Sequence, residues 1–235
     1  MKIDKWSYSR LRHFTNIKSV NEKMEFLRRE PEGRIEDYGK SSSAPGIAYH
    51  EALAFWLTSK KLGAEVSLEN IKIIEKIKTK RAQGKFKCYL MNFINNKGVY
   101  EKYLENSEIV DVERSFTERI SIGAIAPQVP CEGRIDLIIK DPDNEDCLIV
   151  IDHKTSAFKR CGALTSDTWQ PFISTLLVEK GTGKKVSKVI QIENNIAGKP
   201  DFIIRIYGMG DDDRKYYFRM IKNSLNEFLR MAEAA

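Results

Sequence analysis

Two kinds of hydrophobic spacing divide the chain. In its middle, apolar residues alternate with polar ones or form short β-branched runs; on both sides they recur at helical spacing. Segments 135–139 and 147–151 are rich in Ile, Leu and Val, and the intervening DPDNED is turn chemistry, so together they predict a β-hairpin. Along 109–117, Val110, Val112 and Phe116 alternate with Asp111, Glu113 and Ser115, the pattern of a half-buried strand. Segments 186–193 and 202–207 predict two more strands around a turn at 198–200. Helical spacing follows the Ser residues at 7 and 9, runs from Pro45 and Gly46 to about 61, and covers most of 67–106 with one break near 83–84. A further helix ends near 180; Thr165 or Ser166 can cap it, although Pro171 favours a start closer to Gln170. The last helix, 211–234, has Tyr217, Met220, Ile221, Leu225 and Leu229 as its buried side. Segments 30–43 and 157–164 read as loops. This order predicts an α/β fold with a mixed central β-sheet flanked by α-helices. All 235 residues form a single domain in this reading: a mainly helical part over 1–106, a sheet core over 107–210 and a C-terminal helix over 211–235.

The hairpin also carries the candidate chemistry. Side chains alternate along a strand, so Asp152 and Lys154 share a face and His153 takes the other. Two Asp carboxylates from neighbouring strands, Asp136 and Asp152, can hold hard divalent cations, and a Lys beside them can orient a metal-bound water. An ordinary strand-end ion pair is the alternative. A simple six-residue loop at 141–146 would set Lys140 opposite Cys147 and turn Asp136 away from Asp152. Metal binding therefore requires a shifted register or a bulge.

The spacing of GRID, IDHKTS and a downstream Gln resembles the PD-(D/E)XK nuclease superfamily, in particular its RecB-like exonuclease branch. The resemblance covers about 7–176 and implies a restriction-endonuclease-like core. It further implies that Asp136 and Asp152 bind metal and that Lys154 serves catalysis. It matches His50, in GIAYH, to an upstream metal ligand on a helix, Glu113 to an acidic residue on the preceding strand, and Gln170 to the Gln of the following helix. The backbone carbonyl of His153 is a further ligand in this reading. The first helix is similar to an opening SxSRL helix, in which Arg10 and Arg12 could touch phosphates. Two departures stand out: position 174, where the family usually has an aromatic residue, is Ser, and the cysteines at 88, 131, 147 and 161 do not match the branches with an iron–sulfur cluster. No cluster is expected.

Composition narrows the partners. The net charge of +6 is compatible with a polyanion, and seven Lys or Arg residues between Lys72 and Lys87 (Lys72, Lys76, Lys78, Lys80, Arg81, Lys85 and Lys87) could neutralise successive phosphates or form a solvated helix face. The absence of an apolar leader, of a long apolar run and of any CxxC fits a protein of the reducing cytoplasm, with no membrane partner. The expectation is a Mg²⁺- or Mn²⁺-dependent nuclease, an exonuclease acting on DNA. The alternatives are a non-catalytic DNA-binding protein on the same fold and a nuclease acting on RNA.

Overall fold

A computed structural model describes residues 5–28, 43–68, 72–122, 130–157, 169–198 and 200–234. The expected loops at 30–43 and 157–164 and the cap at Thr165 or Ser166 fall wholly or mostly outside them.

At the centre of the fold lies the hairpin of β3 (Cys131–Asp141) and β4 (Asn144–Ser156). Its turn is two residues, Pro142 and Asp143, with Asp141 paired to Asn144. The Asp143 N–H donates to Asp141 Oδ1 at 3.1 Å and the Asp146 N–H to Asn144 Oδ1 at 3.2 Å. These local side-chain bonds tighten the turn, and an irregularity between Lys140 and Asp141 absorbs the surplus residues. Lys140 therefore faces Leu148 rather than Cys147, and Leu137 faces Ile151. The register is shifted by one residue from that of a plain six-residue loop.

Four further strands complete a mixed sheet: β1 (Trp6–Ser7), β2 (Ile109–Glu118), β5 (Lys185–Asn195) and β6 (Asp201–Gly208). β2 runs antiparallel along one edge of β3. On the other edge β4 pairs with the C-terminal half of β3, and β1, parallel to β3, pairs with Cys131 and Glu132. β5 is parallel to β4, and β6 closes the sheet antiparallel to β5. β4 thus lies inside the sheet, which explains why it is apolar on both faces.

Helices cover each face. On one side Leu11 and Phe14 of α1 (Tyr8–Asn16), Leu27 of α2 (Val20–Arg28), Phe172 and Leu177 of α6 (Trp169–Thr182), and Ile221 and Phe228 of α7 (Asp211–Ala234) pack on Ile138, Leu148 and Val150. On the other, Leu53 and Leu57 of α3 (Ala44–Lys61), Phe86, Tyr89 and Phe93 of α4 (Lys80–Asn96), and Tyr100 of α5 (Gly98–Leu104) pack on Leu137, Ile139, Ile149 and Ile151. The α/β class with a mixed, helix-flanked sheet is as expected.

The helical break does not fall at Gln83–Gly84. α4 passes through that point, while Lys72–Lys76 is a 3-10 turn that ends before Thr79, whose side chain accepts the Ala82 N–H at 3.2 Å. The cap, rather than the glycine, decides where the helix begins. Among the described residues no helix is long and apolar enough to cross a membrane.

Candidate functional site

β3 and β4 part at Leu137 and Ile151. Beyond that pair β4 continues against β5 alone, through Ser156 and Asn195. Asp136 and Asp152 occupy the next positions, one on each arm of the fork. The Asp136 side chain takes over where the ladder stops: its Oδ2 accepts the His153 N–H at 2.7 Å. A carboxylate thereby satisfies a backbone donor that the separated strands would otherwise leave without a partner.

The opposite edge of β3 is also irregular here. Val112 pairs with Leu137 and Arg114 with Ile135, which leaves Glu113 and Asp136 as the intervening positions. Glu113 has φ +52°, left-handed backbone that costs a non-glycine residue about 1–3 kcal/mol. Its carboxylate lies 2.7 Å from Arg134 Nε. The strained turn thus directs Glu113 to Arg134.

His50 reaches the fork from α3. Pro45 sits in the first turn of that helix, and Gly46 lies so close to β4 that a Cβ there would stand 2.6 Å from Thr155 Oγ1. This close approach brings His50 Nδ1 to 3.7 Å from Asp136 Oδ2. His153, facing the same helix layer, has its Nδ1 3.8 Å from the same oxygen. One ligand atom from each of His50, Asp136 and His153 lies within 4.8 Å of the others, a spacing that could hold a metal ion.

Asp152 is clamped by different groups on the opposite face. Lys154 Nζ and Gln170 Nε2 both donate to Oδ1, at 2.8 and 2.7 Å, and Gln191 Nε2 donates to Oδ2 at 3.0 Å. Gln170 comes from the first turn of α6, where Pro171 loses no helical hydrogen bond. Behind Gln191, Arg205 Nη1 bonds Gln191 Oε1 at 3.4 Å and Glu193 Oε2 at 2.9 Å. Lys154 is about one-third exposed at its side chain, whereas Asp152 is buried.

Burial sets the protonation states. It pushes the His153 imidazole down to about 3 and lowers His50 as well, so both rings are neutral near pH 7. Burial also works to raise Asp136, but the His50 and His153 rings, as they become protonated in acid, together with Lys154 and the His153 N–H, more than offset it, and Asp136 titrates below the usual carboxylate range. Asp152 is raised, by burial and by Asp136, against the pull of Lys154 and Gln191. Neutral imidazoles beside an ionised carboxylate are a donor set that fits a divalent cation.

His50, Asp136, Asp152, Lys154 and Gln170 meet at the fork, while Glu113 lies beside it on Arg134. The His153 ring and the second clamp, Gln191 with Glu193 and Arg205, were not anticipated. The signal for Gln191 and Glu193 was present in QIEN, two polar residues spaced by two within a buried strand.

No protein-family model matches the chain, and a search among curated proteins finds no match. Solved structures do match. A crystal structure named "Putative exonuclease", from Eubacterium rectale, superposes with a TM-score of 0.55 at 17% identity, covering 98% of this chain and 82% of its own. The structure of SSO0001 gives a TM-score of 0.36 at 14% identity, with coverages of 93% and 82%. At 17% identity the first likeness establishes the fold: a mixed six-stranded sheet flanked by helices, shared with a protein named as an exonuclease.

Proposed function

We propose that this chain is a divalent-metal-dependent deoxyribonuclease of the PD-(D/E)XK superfamily, RecB-like and exonucleolytic, built as a single domain. The observation that carries this reading is the convergence of Asp136, Asp152 and Lys154 at the fork, with His50 and Gln170 completing the group. Binding alone requires no such set. The name of the Eubacterium rectale neighbour supports the same reading.

In this reading Asp136, Asp152 and His50, with the His153 carbonyl, hold Mg²⁺ or Mn²⁺. A bound ion lowers the pKa of a coordinated water and stabilises charge on the phosphoryl oxygens. Lys154, whose Nζ is held 2.8 Å from Asp152 Oδ1, positions the attacking water and meets the charge that develops in line. Gln170 fixes Asp152 and, when a strand is bound, can share its amide with a phosphate oxygen. Glu113 is a further acidic group close to the metal, kept aside by Arg134. The exposed cations Lys72, Lys78, Lys80, Arg81 and Lys87 give the DNA a sequence-independent hold.

The decisive experiment is a cleavage time course on end-labelled linear and closed circular DNA, single- and double-stranded, with Mg²⁺, Mn²⁺ or chelator. Lys154→Ala, Asp136→Ala and Asp152→Ala are run in parallel. Loss of linear DNA that needs metal and vanishes in all three variants is expected, with the circle spared. DNA bound but never cut would make the chain a binding protein, and preferential cleavage of RNA would change the substrate class.

A further inference from the structure

We infer that Arg134 forms a phosphate subsite beside the fork: its terminal guanidinium nitrogens grip a backbone phosphate of the bound strand, and Glu113 is the positioning residue that holds Arg134 in place. The inference rests on the nucleic-acid reading above and adds to its metal site without altering it.

Placement is the first argument. Gly133 and Ile135 turn toward α6 and the core beneath it, since a Cβ on Gly133 would stand 2.7 Å from Leu177 Cδ1 and Ile135 belongs to that core. Arg134, between them, therefore projects from the opposite face, where α3 brings His50. Its charge reaches His50, whose titration it helps to lower. Asp136 stands two residues further along β3, about 7 Å away at the rise of a strand. That is comparable with the step between neighbouring phosphates in a nucleic-acid strand.

The second argument is what the guanidinium leaves unused. The Arg134 side chain is 39% exposed, and among the described residues its one ion-pair partner is the Glu113 carboxylate, 2.7 Å from Nε. An arginine held at Nε still presents Nη1 and Nη2, a planar pair that matches two phosphate oxygens. Arg114, on the adjoining strand, is committed instead. Its Nη1 donates to Asp111 Oδ2 at 2.8 Å, and its guanidinium lies over the Phe116 ring.

Third, the contact is made at a cost. Glu113 takes φ +52° where its carboxylate meets Arg134. An ion pair as exposed as this one stabilises a fold by less than such backbone costs. Stability does not account for the arrangement, whereas preorganisation does: an arginine aimed beforehand loses less freedom when a phosphate arrives.

The test is binding of single- and double-stranded DNA oligonucleotides to the full chain in chelator, where no ion takes part and nothing is cut. Affinity is measured as a function of salt, and the ¹⁵N signals of the arginine guanidinium groups are followed by NMR, with Arg134 assigned by its loss in Arg134→Lys. DNA should shift the Arg134 Nη signals and leave those of Arg114 in place. Arg134→Met should bind at least threefold more weakly, with a salt slope smaller by about 0.7–0.9, the value of one phosphate contact. Arg134→Lys keeps the charge and should recover the slope but not the whole affinity. Glu113→Gln should also weaken binding, although losing a carboxylate would by charge alone tighten the hold on a polyanion. Unmoved Arg134 signals with DNA bound, wild-type affinity in Arg134→Met, or tighter binding by Glu113→Gln would overturn the inference. Should Arg134→Met fail to fold, the wild-type signals and Arg134→Lys decide. Cleavage after adding Mg²⁺ or Mn²⁺ separates the two readings: cleavage with unmoved Arg134 signals keeps the nuclease and discards the subsite, shifted signals without cleavage do the reverse, and no binding discards both.

Discussion

The clamp behind Asp152 can be broken at one point, Arg205. Glu193 is 1% exposed and its Oε2 is held by Arg205 Nη1 at 2.9 Å, while its Oε1 is buried without a partner. Arg205→Met removes the counter-ion and leaves a carboxylate inside the protein. Removing one partner of a buried pair costs about 3–5 kcal/mol. The Arg205 side chain is 22% exposed, so some water can reach the gap, and the lower end, about 3 kcal/mol, is expected. For a chain of this size that corresponds to a fall in melting temperature of about 6–12 °C. Urea unfolding of metal-free protein should show the loss, and a double-mutant cycle should assign it. Replacing the pair together, as Arg205→Met with Glu193→Leu, leaves no buried charge and should recover at least about 2 kcal/mol of the single-variant loss. A single-variant cost below about 1 kcal/mol, with a coupling near zero, would refute the reasoning. Water would then reach Glu193, and the second clamp would have no electrostatic backbone.

Three other outcomes are expected. Gly46→Ala places a methyl group 2.6 Å from Thr155 Oγ1 and should destabilise by about 1–3 kcal/mol; adding Thr155→Ala removes the obstructing oxygen and should restore most of it in a thermal melt. His153 is lowered to about 3, below its unfolded value of about 6.5, so the folded state binds fewer protons. Its contribution to stability is complete above about pH 6.5 and is lost as pH falls from there toward 3. In chelator, stability between pH 6.5 and 5 should therefore decline more steeply in wild type than in His153→Phe, by up to about 1.4 kcal/mol per pH unit; His50 acts in the same sense and Asp152 in the opposite one, but both are present in each protein. Finally, Mn²⁺ at 100 times its dissociation constant should stabilise the fold by about 2.7 kcal/mol, read as a rise in melting temperature that Asp136→Ala abolishes.

Much of this was legible in the sequence because period and turn chemistry are local properties. The segments read as strands at 109–117, 135–139, 147–151, 186–193 and 202–207 all lie within strands of the sheet, and Tyr217, Ile221 and Leu225 of α7 are buried as expected, whereas Met220 and Leu229 are only half-buried and Phe228, not anticipated, is fully buried. The hairpin register did not, since β4 is apolar on both faces and either register buries the same side chains. What decides it is a pair of side-chain bonds in the turn, from Asp141 and Asn144, together with the bulge. The break assigned to Gly84 misjudged a helix that Phe86, Tyr89 and Phe93 anchor by packing, against which one glycine's propensity of about 1 kcal/mol is small. The role of Arg205 was invisible for another reason. An Arg in an edge strand reads as surface, and only the pairing of β5 with β6 brings it over Gln191 and Glu193.

The fork also shows why the site sits where the sheet opens. A closed ladder between β3 and β4 would pair the His153 region with β3 and leave no room between the arms for an ion. Opening the strands exposes backbone donors, and an open fork is tolerable only if side chains take over their bonds. Asp136 does this for His153 N–H, so the residue that permits the opening is also the one with a carboxylate to offer an ion. On the far edge of β3 the irregularity appears as the positive φ of Glu113. A left-handed non-glycine residue there destabilises the folded chain by about 1–3 kcal/mol. A cation bound at the Asp136 carboxylate would tie the two arms of the fork together at the point where the ladder stops. Metal binding should therefore stabilise this corner of the protein more than the rest, and hydrogen exchange at the His153 amide should slow more than that of Ile149 when Mn²⁺ is added.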